Sequence, residues 1–290
     1  MPQNVQARNA LEEEKQIRLG LLQINPEHGE KQRNMERVRS LARRCSVESR
    51  HVDLLLMPEL ALIGYMFTSR AAIEPLADCA HGGETRAFCA QLCCEFNLGA
   101  ITCGFARKTE SGGIANSLLL TDRSGCLIAL YDKAQLYHAD KVWGAEEGAR
   151  FCTVPLPFAP TVKATLAICM DINPYNFENP WDEFELANHA KQHGASLVLM
   201  SSAWCSAHPE DDEIVRNMAP DQSKTMEYWA SRLEPLFGSK AIFAVADRVG
   251  RESGVNFCGS SCLMQLASNP KLLGALGISE EGILVKQLPI

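Results

Sequence analysis

Asp53-Leu54-Leu55-Leu56-Met57 carries four consecutive apolar residues and stops at Pro58. A strand with one wet face alternates apolar and polar residues, so an unbroken run this short reads as a strand buried on both faces. Upstream, Ile17-Arg18-Leu19-Gly20-Leu21-Leu22 reads as another strand. Between them Met35, Val38, Leu41, Ala42 and Cys45 recur at helical spacing, with arginines on the opposite face. The result is a strand-helix-strand unit.

The same rhythm continues along the chain. A helix is expected over residues 85–96, where Phe88, Leu92 and Phe96 are four apart, followed by strands near 100–105, 117–121 and 127–131. Gly112-Gly113 and Ser124-Gly125 mark the hairpin turns between these strands. The second half offers strands at 164–169, 197–200, 241–246, 261–266 and 283–288. It also offers a helix opened by Asp182 with Glu185 three residues on, and a helix over 223–237. Alternating strands and helices argue for an α/β layered protein. No linker or charge block divides it, so residues 17–290 are expected to form one domain behind an N-terminal extension of residues 1–16.

Composition excludes several classes. With 46% hydrophobic residues the chain can fill a sizeable core, which rules out a disordered tail. A formal net charge of -7 disfavours nonspecific binding to nucleic acid or anionic membrane. Glu12, Glu13 and Glu14 stand where a signal peptide would need apolar residues, and no run of about 18 apolar residues follows. The expectation is a soluble cytoplasmic protein, with the nucleus as a second compartment. Its 12 cysteines are then reduced thiols, and the absence of any CxxC pair speaks against structural zinc.

Three polar residues stand where buried strands run out: Glu59, Lys133 and Cys169. Ligand sites in open α/β sheets gather at the carboxyl ends of strands, so a base, a cation and a thiol could meet there. Cysteine attacks as the thiolate and needs a base or a positive neighbour. Taken singly, a strand-end cysteine is also an ordinary buried apolar residue, and a strand-end glutamate or lysine an ordinary boundary residue. A papain-like cysteine-histidine pair has seven histidines to draw on, none in a recognisable partner motif.

Met57-Pro58-Glu59-Leu60, Tyr131-Asp132-Lys133 and Ile168-Cys169-Met170-Asp171 resemble, in order, the three catalytic blocks of the nitrilase, or carbon-nitrogen hydrolase, superfamily. Gln23, Asn116-Ser117, Asp247-Arg248-Val249-Gly250 and Phe257-Cys258-Gly259-Ser260-Ser261 resemble its supporting blocks. The resemblance implies a four-layer αββα sandwich with Glu59 as general base, Lys133 as oxyanion stabiliser and Cys169 as nucleophile. The backbone N–H of Met170 would assist Lys133, and no metal or organic cofactor is implied. The family's second glutamate fits Glu147 best, with Glu146 as the alternative.

Around the nucleophile most members carry an arginine where this chain has Asn173. Cys169-Met170-Asp171-Ile172-Asn173-Pro174-Tyr175 and Phe177-Glu178 are instead similar to the fungal-type protein N-terminal asparagine/glutamine amidohydrolases. That branch implies protein or peptide substrates beginning with Asn or Gln, and relatives often form homodimers. Asp171, Glu178 and Asp140 are candidates to pair with the substrate's α-ammonium, and Trp143, Tyr175 and Trp204 for aromatic pocket walls. A small-molecule amidase, ω-amidase or nitrilase would use the same triad, and a noncatalytic scaffold would lack one of its members.

Overall fold

The computed structural model describes residues 16–208 and 210–289. The chain lays down β1 (Gln16–Gln23), α1 (Lys31–Arg44), β2 (Leu54–Leu56), α2 (Arg70–Ile73), α3 (Glu84–Phe96), β3 (Ala100–Lys108), β4 (Ile114–Asp122) and β5 (Leu127–Asp132). Then come α4 (His138–Val142), β6 (Ala145–Glu146), β7 (Cys152–Leu156), β8 (Ala159–Ile168), α5 (Glu185–Gln192), β9 (Leu197–Ser202), α6 (Glu213–Asn217) and α7 (Gln222–Ser231). The chain finishes with β10 (Ile242–Asp247), the pair β11 (Arg251–Glu252) and β12 (Val255–Asn256), β13 (Cys262–Gln265), β14 (Lys271–Ala275) and β15 (Gly282–Pro289). Of the extension expected over residues 1–16, Gln16 opens β1. The rest, including Glu12, Glu13 and Glu14, lies outside the described residues.

Two sheets result. One runs β15-β1-β2-β3-β4-β5, with β6 beside the start of β4; the other runs β14-β13-β10-β9-β8-β7. Strand periodicity then explains the apolar run at β2. Leu54 and Leu56 point into the layer between the sheets, where they join Leu166, Ile168, Leu199 and Ala244. Leu55 and Met57 point the other way, into a layer shared with Val38 and Leu41 of α1 and Phe88 and Leu92 of α3. The second sheet repeats this, with Ala167, Val198, Met200 and Phe243 turned outward to Leu186 and Ala190 of α5 and Trp229 of α7. Helix, sheet, sheet, helix is the four-layer αββα sandwich, and inner strands such as β2 and β9 are apolar on both sides because both sides are covered.

Two helix expectations are corrected. Asp182 does not open α5: it sits in a short turn over Trp181–Glu183, and α5 starts at Glu185 after Phe184 adopts φ 44°. The helix expected over 223–237 stops at Ser231 and resumes as a separate turn at Glu234–Leu236. Pro235 has no N–H to donate, so it can begin that turn but could not have continued α7.

Candidate active site

Glu59, Lys133 and Cys169 each follow the last residue of a strand by no more than three positions: β2, β5 and β8 in turn. The two sheets face one another, so these ends converge. Lys133 Nζ donates to Glu59 Oε1 at 2.7 Å and to Asp140 Oδ2 at 2.6 Å, and all three side chains are fully buried. Asn116 Nδ2 bridges the two carboxylates, donating to Glu59 Oε1 at 2.6 Å and Asp140 Oδ1 at 2.9 Å. Ala203 N–H donates to Glu59 Oε2 at 3.0 Å, and Tyr137 N–H to Asp140 Oδ2 at 3.0 Å.

Such packing requires backbones to pass closely. A Cβ on Gly104 of β3 would stand 2.7 Å from the Glu59 Cα, and one on Gly148 would stand 2.1 Å from the Asp132 carbonyl oxygen beside Lys133. Only glycine fits at either place. Cys169 itself sits at φ 39°, a region few non-glycine residues enter, at the start of a tight turn over Cys169–Ile172. That turn lifts the thiol out of the strand direction and onto a pocket wall.

The electrostatics follow from burial. Desolvation raises the Glu59 carboxyl above its ordinary value of 4.5; Lys133 opposes this rise and Asp140 adds to it. Burial would release the Lys133 proton, but the carboxylates of Asp140 and Glu59 outweigh it, so the ammonium is held more firmly than in water. The Cys169 thiol is pushed well up by burial and by Glu59, with Lys133 pulling it back. Cys169 is therefore a thiol at neutral pH, beside a carboxylate and a cation whose charges both reach it.

The pocket has a volume of about 240 Å³ and is lined by Tyr137, Cys169, Met170, Asn173, Phe177, Ala203, Trp204, Cys205, Ser206, Ala207 and His208. Trp204 is thus placed on the wall, as expected. Met170, expected to assist Lys133, lines it too, whereas Trp143, Asp171, Tyr175 and Glu147 do not. Trp143 is 1% exposed and packs in the core between the first sheet and its helices. Asp171 is a buried brace: Oδ2 accepts from Tyr131 Oη at 2.6 Å and Ile168 N at 2.7 Å, and Oδ1 from Gln135 N at 3.0 Å. Burial, offset by those bonds, raises its carboxyl to about 7. Tyr175 lies near the surface and donates to Glu147 Oε2 at 3.1 Å. Glu147 is thereby engaged away from Lys133, and Glu146 accepts from Ser111 Oγ at 2.8 Å. The second carboxylate on the lysine is Asp140. Of the three acidic residues considered for the α-ammonium, Asp140 and Asp171 are occupied and Glu178 is at the surface.

Asn173 lines the pocket because its carboxamide is fixed on both sides, with Tyr228 Oη donating to Oδ1 at 2.5 Å and Nδ2 donating to Met170 O at 3.3 Å. Tyr65, at 3.4 Å from both Lys133 Nζ and Asp140 Oδ2, also borders the cluster. Cys205 joins the wall beside Trp204, as its place next to that residue in the sequence suggests, while Tyr137 and His208 join it without a sequence signal beyond their position in loops that follow strands.

The family model for carbon-nitrogen hydrolases matches residues 18–289. A protein N-terminal amidase of Schizosaccharomyces pombe (strain 972) is 32% identical over 94% of this chain and 99% of its own length. One of Saccharomyces cerevisiae (strain S288c) is 26% identical over 78% of this chain, which spans 54% of that relative. Solved structures of an N-terminal amidase with Asn-Glu-Ala and Gln-Gly peptides superpose with a TM-score of 0.83 over 94% of this chain and 97% of theirs, at 19% identity.

Proposed function

From the premise that this chain belongs to the carbon-nitrogen hydrolase family, we propose that it deamidates an N-terminal Asn or Gln of a peptide or protein, giving Asp or Glu and ammonia. The observation that carries this reading is the fully buried Glu59-Lys133-Asp140 cluster set against Cys169 on the wall of a one-residue pocket. At about 240 Å³ the pocket falls below the range of roughly 300–1,000 Å³ typical of drug-sized ligands. It suits a single residue presented at a chain end. The relatives named for action on protein N-termini support the same substrate class.

The chemistry is derived from the positions. Glu59 takes the Sγ proton as Cys169 attacks the side-chain carboxamide carbon, so no free thiolate needs to accumulate. An ammonium has three donors. Two of those on Lys133 are committed to Glu59 and Asp140, and the third meets only Tyr65 Oη at 3.4 Å, which leaves it for the oxyanion. The Met170 N–H is the second donor offered to it. As the tetrahedral adduct collapses, the C–N bond breaks and the proton on Glu59 leaves with ammonia. Water, deprotonated by Glu59, then hydrolyses the thioester, releasing the new carboxylate and restoring the thiol.

The test is ammonia release from Asn-Gly-Ala and Gln-Gly-Ala with free and acetylated amino termini, beside free glutamine. Free-terminus peptides should turn over at least about tenfold faster than acetylated ones, and Cys169→Ser should abolish turnover while Cys94→Ser retains it. A preference for free glutamine would reassign the chain to small-molecule amidases, and an active Cys169→Ser enzyme would end the covalent mechanism.

A further inference from the structure

Three neighbouring parallel strands of the second sheet, β8, β9 and β10, end side by side. Ser201 stands opposite Ile168 on one flank, and Ser202 stands opposite Asp247 on the other. Cys169 follows Ile168, so Cys169, Ser202 and Asp247 lie in a row across the strand ends. Residues opposite one another in a parallel pair turn to the same face, so Ser202 and Asp247 share a side. Both are fully buried, and among the described residues neither Ser202 Oγ nor Asp247 Oδ2 has a hydrogen-bond partner. Two such orphans side by side are uncommon in a folded interior and call for a reason. Asp247 Oδ1, by contrast, accepts from Trp204 N at 2.8 Å and from Arg248 N at 3.0 Å. Burial raises both the Cys169 thiol and the Asp247 carboxyl, and the Ser202 hydroxyl lies close enough to each to oppose that rise. The charge of Glu59 pushes the Asp247 carboxyl further up. Arg248, next in the chain, turns its guanidinium to Glu252 and over the Phe257 ring at 3.9 Å. The thiols of Cys205, Cys258 and Cys262 also face Asp247, and burial and its charge raise all three. With no positive charge committed to it, Asp247 stays a carboxylic acid at neutral pH.

We propose that Ser202 is a further catalytic residue, whose hydroxyl donates to the Cys169 sulfur as negative charge develops there, and that Asp247 is the residue that positions this hydroxyl. The inference rests on the reading of Cys169 as the nucleophile. A hydroxyl has one proton to give and can accept another. As a carboxylic acid, Asp247 donates through Oδ2 to Ser202 Oγ, which satisfies both orphans and leaves the Ser202 proton for the sulfur. An ionised Asp247 would reverse the chain. It would draw the Ser202 hydroxyl toward itself, take the donor from the sulfur and set a second negative charge beside it. The Cys169 proton still passes to Glu59, and Ser202 keeps its own throughout, so the contact stabilises the developing charge without adding a transfer. Ala203, the residue after Ser202, gives its N–H to Glu59 Oε2 at 3.0 Å. Consecutive residues at the end of β9 thus steady the nucleophile and its base.

The pH dependence of Cys169 alkylation by iodoacetamide, followed by the mass of the peptide that carries it, reports the thiol without any substrate. Its midpoint should rise in Ser202→Ala, which loses the donor. It should fall in Asp247→Asn, which removes the charge yet keeps a donor for Ser202 and an acceptor for the Trp204 and Arg248 amides. Loosened packing would move both midpoints alike, so opposite shifts separate the contact from a structural effect. With Asn-Gly-Ala as substrate, Ser202→Ala should lower kcat about tenfold and leave KM little changed. Asp247→Ala should lose a similar factor, and Asp247→Asn should recover most of it. If Asp247→Ala does not fold, the other two variants, checked by thermal melting, decide the matter. Midpoints that shift in the same direction, or a folded Ser202→Ala protein with an unaltered midpoint or unaltered kcat, overturn the inference. If no Asn or Gln peptide releases ammonia, the amidase reading has failed on its own, and the alkylation midpoints still accept or reject the contact between the Ser202 hydroxyl and the sulfur.

Discussion

At the scale of single residues, Lys133 is held between two carboxylates, and each partner should leave a distinct signature when removed. Asp140 raises the Glu59 carboxyl through its charge, more strongly than the Asn116 hydrogen bond lowers it. A general base works only when ionised, and kcat/KM reports the groups of the free enzyme. The acid limb of kcat/KM should therefore lie above the ordinary glutamate value in the unaltered enzyme and move to lower pH in Asp140→Asn; a limb that stays in place would remove Asp140 from the electrostatics of the base. Lys133→Ala should act on kcat, by about 10²–10³-fold, more than on KM. It should also cost about 3–5 kcal/mol of stability, because it strands two buried carboxylates without their cation. Without Lys133 to oppose burial, the Glu59 carboxyl lies further above its unfolded value, so the native state binds more protons and stability falls as pH rises through that window. Urea unfolding at pH 5 and pH 7 checks the sign, and the defect should be smaller at pH 5. Glu59, Lys133 and Cys169 stood out as polar residues at the ends of expected strands, and the resemblance is what singled them out as a set. Asp140 did not, since it lies on a five-residue helix with no periodicity to mark it, and the resemblance directed attention to a glutamate instead.

At the scale of elements, the buried strands were legible wherever both faces are covered, and so were the edges β5 and β15 of the first sheet, but the two edges of the second sheet were not. β7 and β14 lie at the two borders of the second sheet, with half-buried or exposed residues apart from Leu156, and β7 contains Pro155. Neither presents the run or the alternation that marks a strand, and edges are where proline and polar residues are tolerated. Helix ends escaped for a similar reason. Arg232, just past α7, is buried with its guanidinium donating to Ile172 O at 2.8 Å, to Trp181 O and to Glu185 Oε2 at 3.2 Å, a set of tertiary bonds no local pattern announces. Gln23 at the end of β1 plays a comparable part between the sheets. Its Nε2 donates to Gly277 O at 2.7 Å and Glu280 O at 2.8 Å, and its Oε1 accepts from Ser261 N at 2.9 Å. Gln23→Leu should leave the buried Ser261 amide without a partner, at about 1–3 kcal/mol for that group alone. Gln23→Glu keeps that acceptor but loses both donors. Chemical denaturation of the two variants should show a loss in each; an unchanged midpoint in Gln23→Leu would mean the three backbone groups find other partners.

At the scale of the molecule, which strands exist was largely readable, but which strands pair was not. The first described strand and the last are neighbours: β1 pairs antiparallel with β15 over eight residues, from Gln16 opposite Pro289 to Gln23 opposite Gly282. Nothing local encodes a contact between opposite ends of a chain. Hydrophobic patterning requires each strand to be covered, and several strand orders would satisfy that. The observed pairing makes β1 an interior strand, flanked by β2 on one side and β15 on the other. Ile283 and Leu288 of β15 are also buried, one toward the helices and one between the sheets. Removing residues 282–290 should therefore do more than delete surface. It would expose a run of β1 backbone N–H and C=O groups, open the apolar layers on both faces of the first sheet, and leave an unpaired edge as a template for association. The truncated chain should lack a cooperative thermal transition and should sediment as aggregate, whereas the full chain melts in one step. A truncated protein that remained monomeric and melted near the full-length Tm would show that the two sheets are held by the inner strands alone, with β15 an accessory.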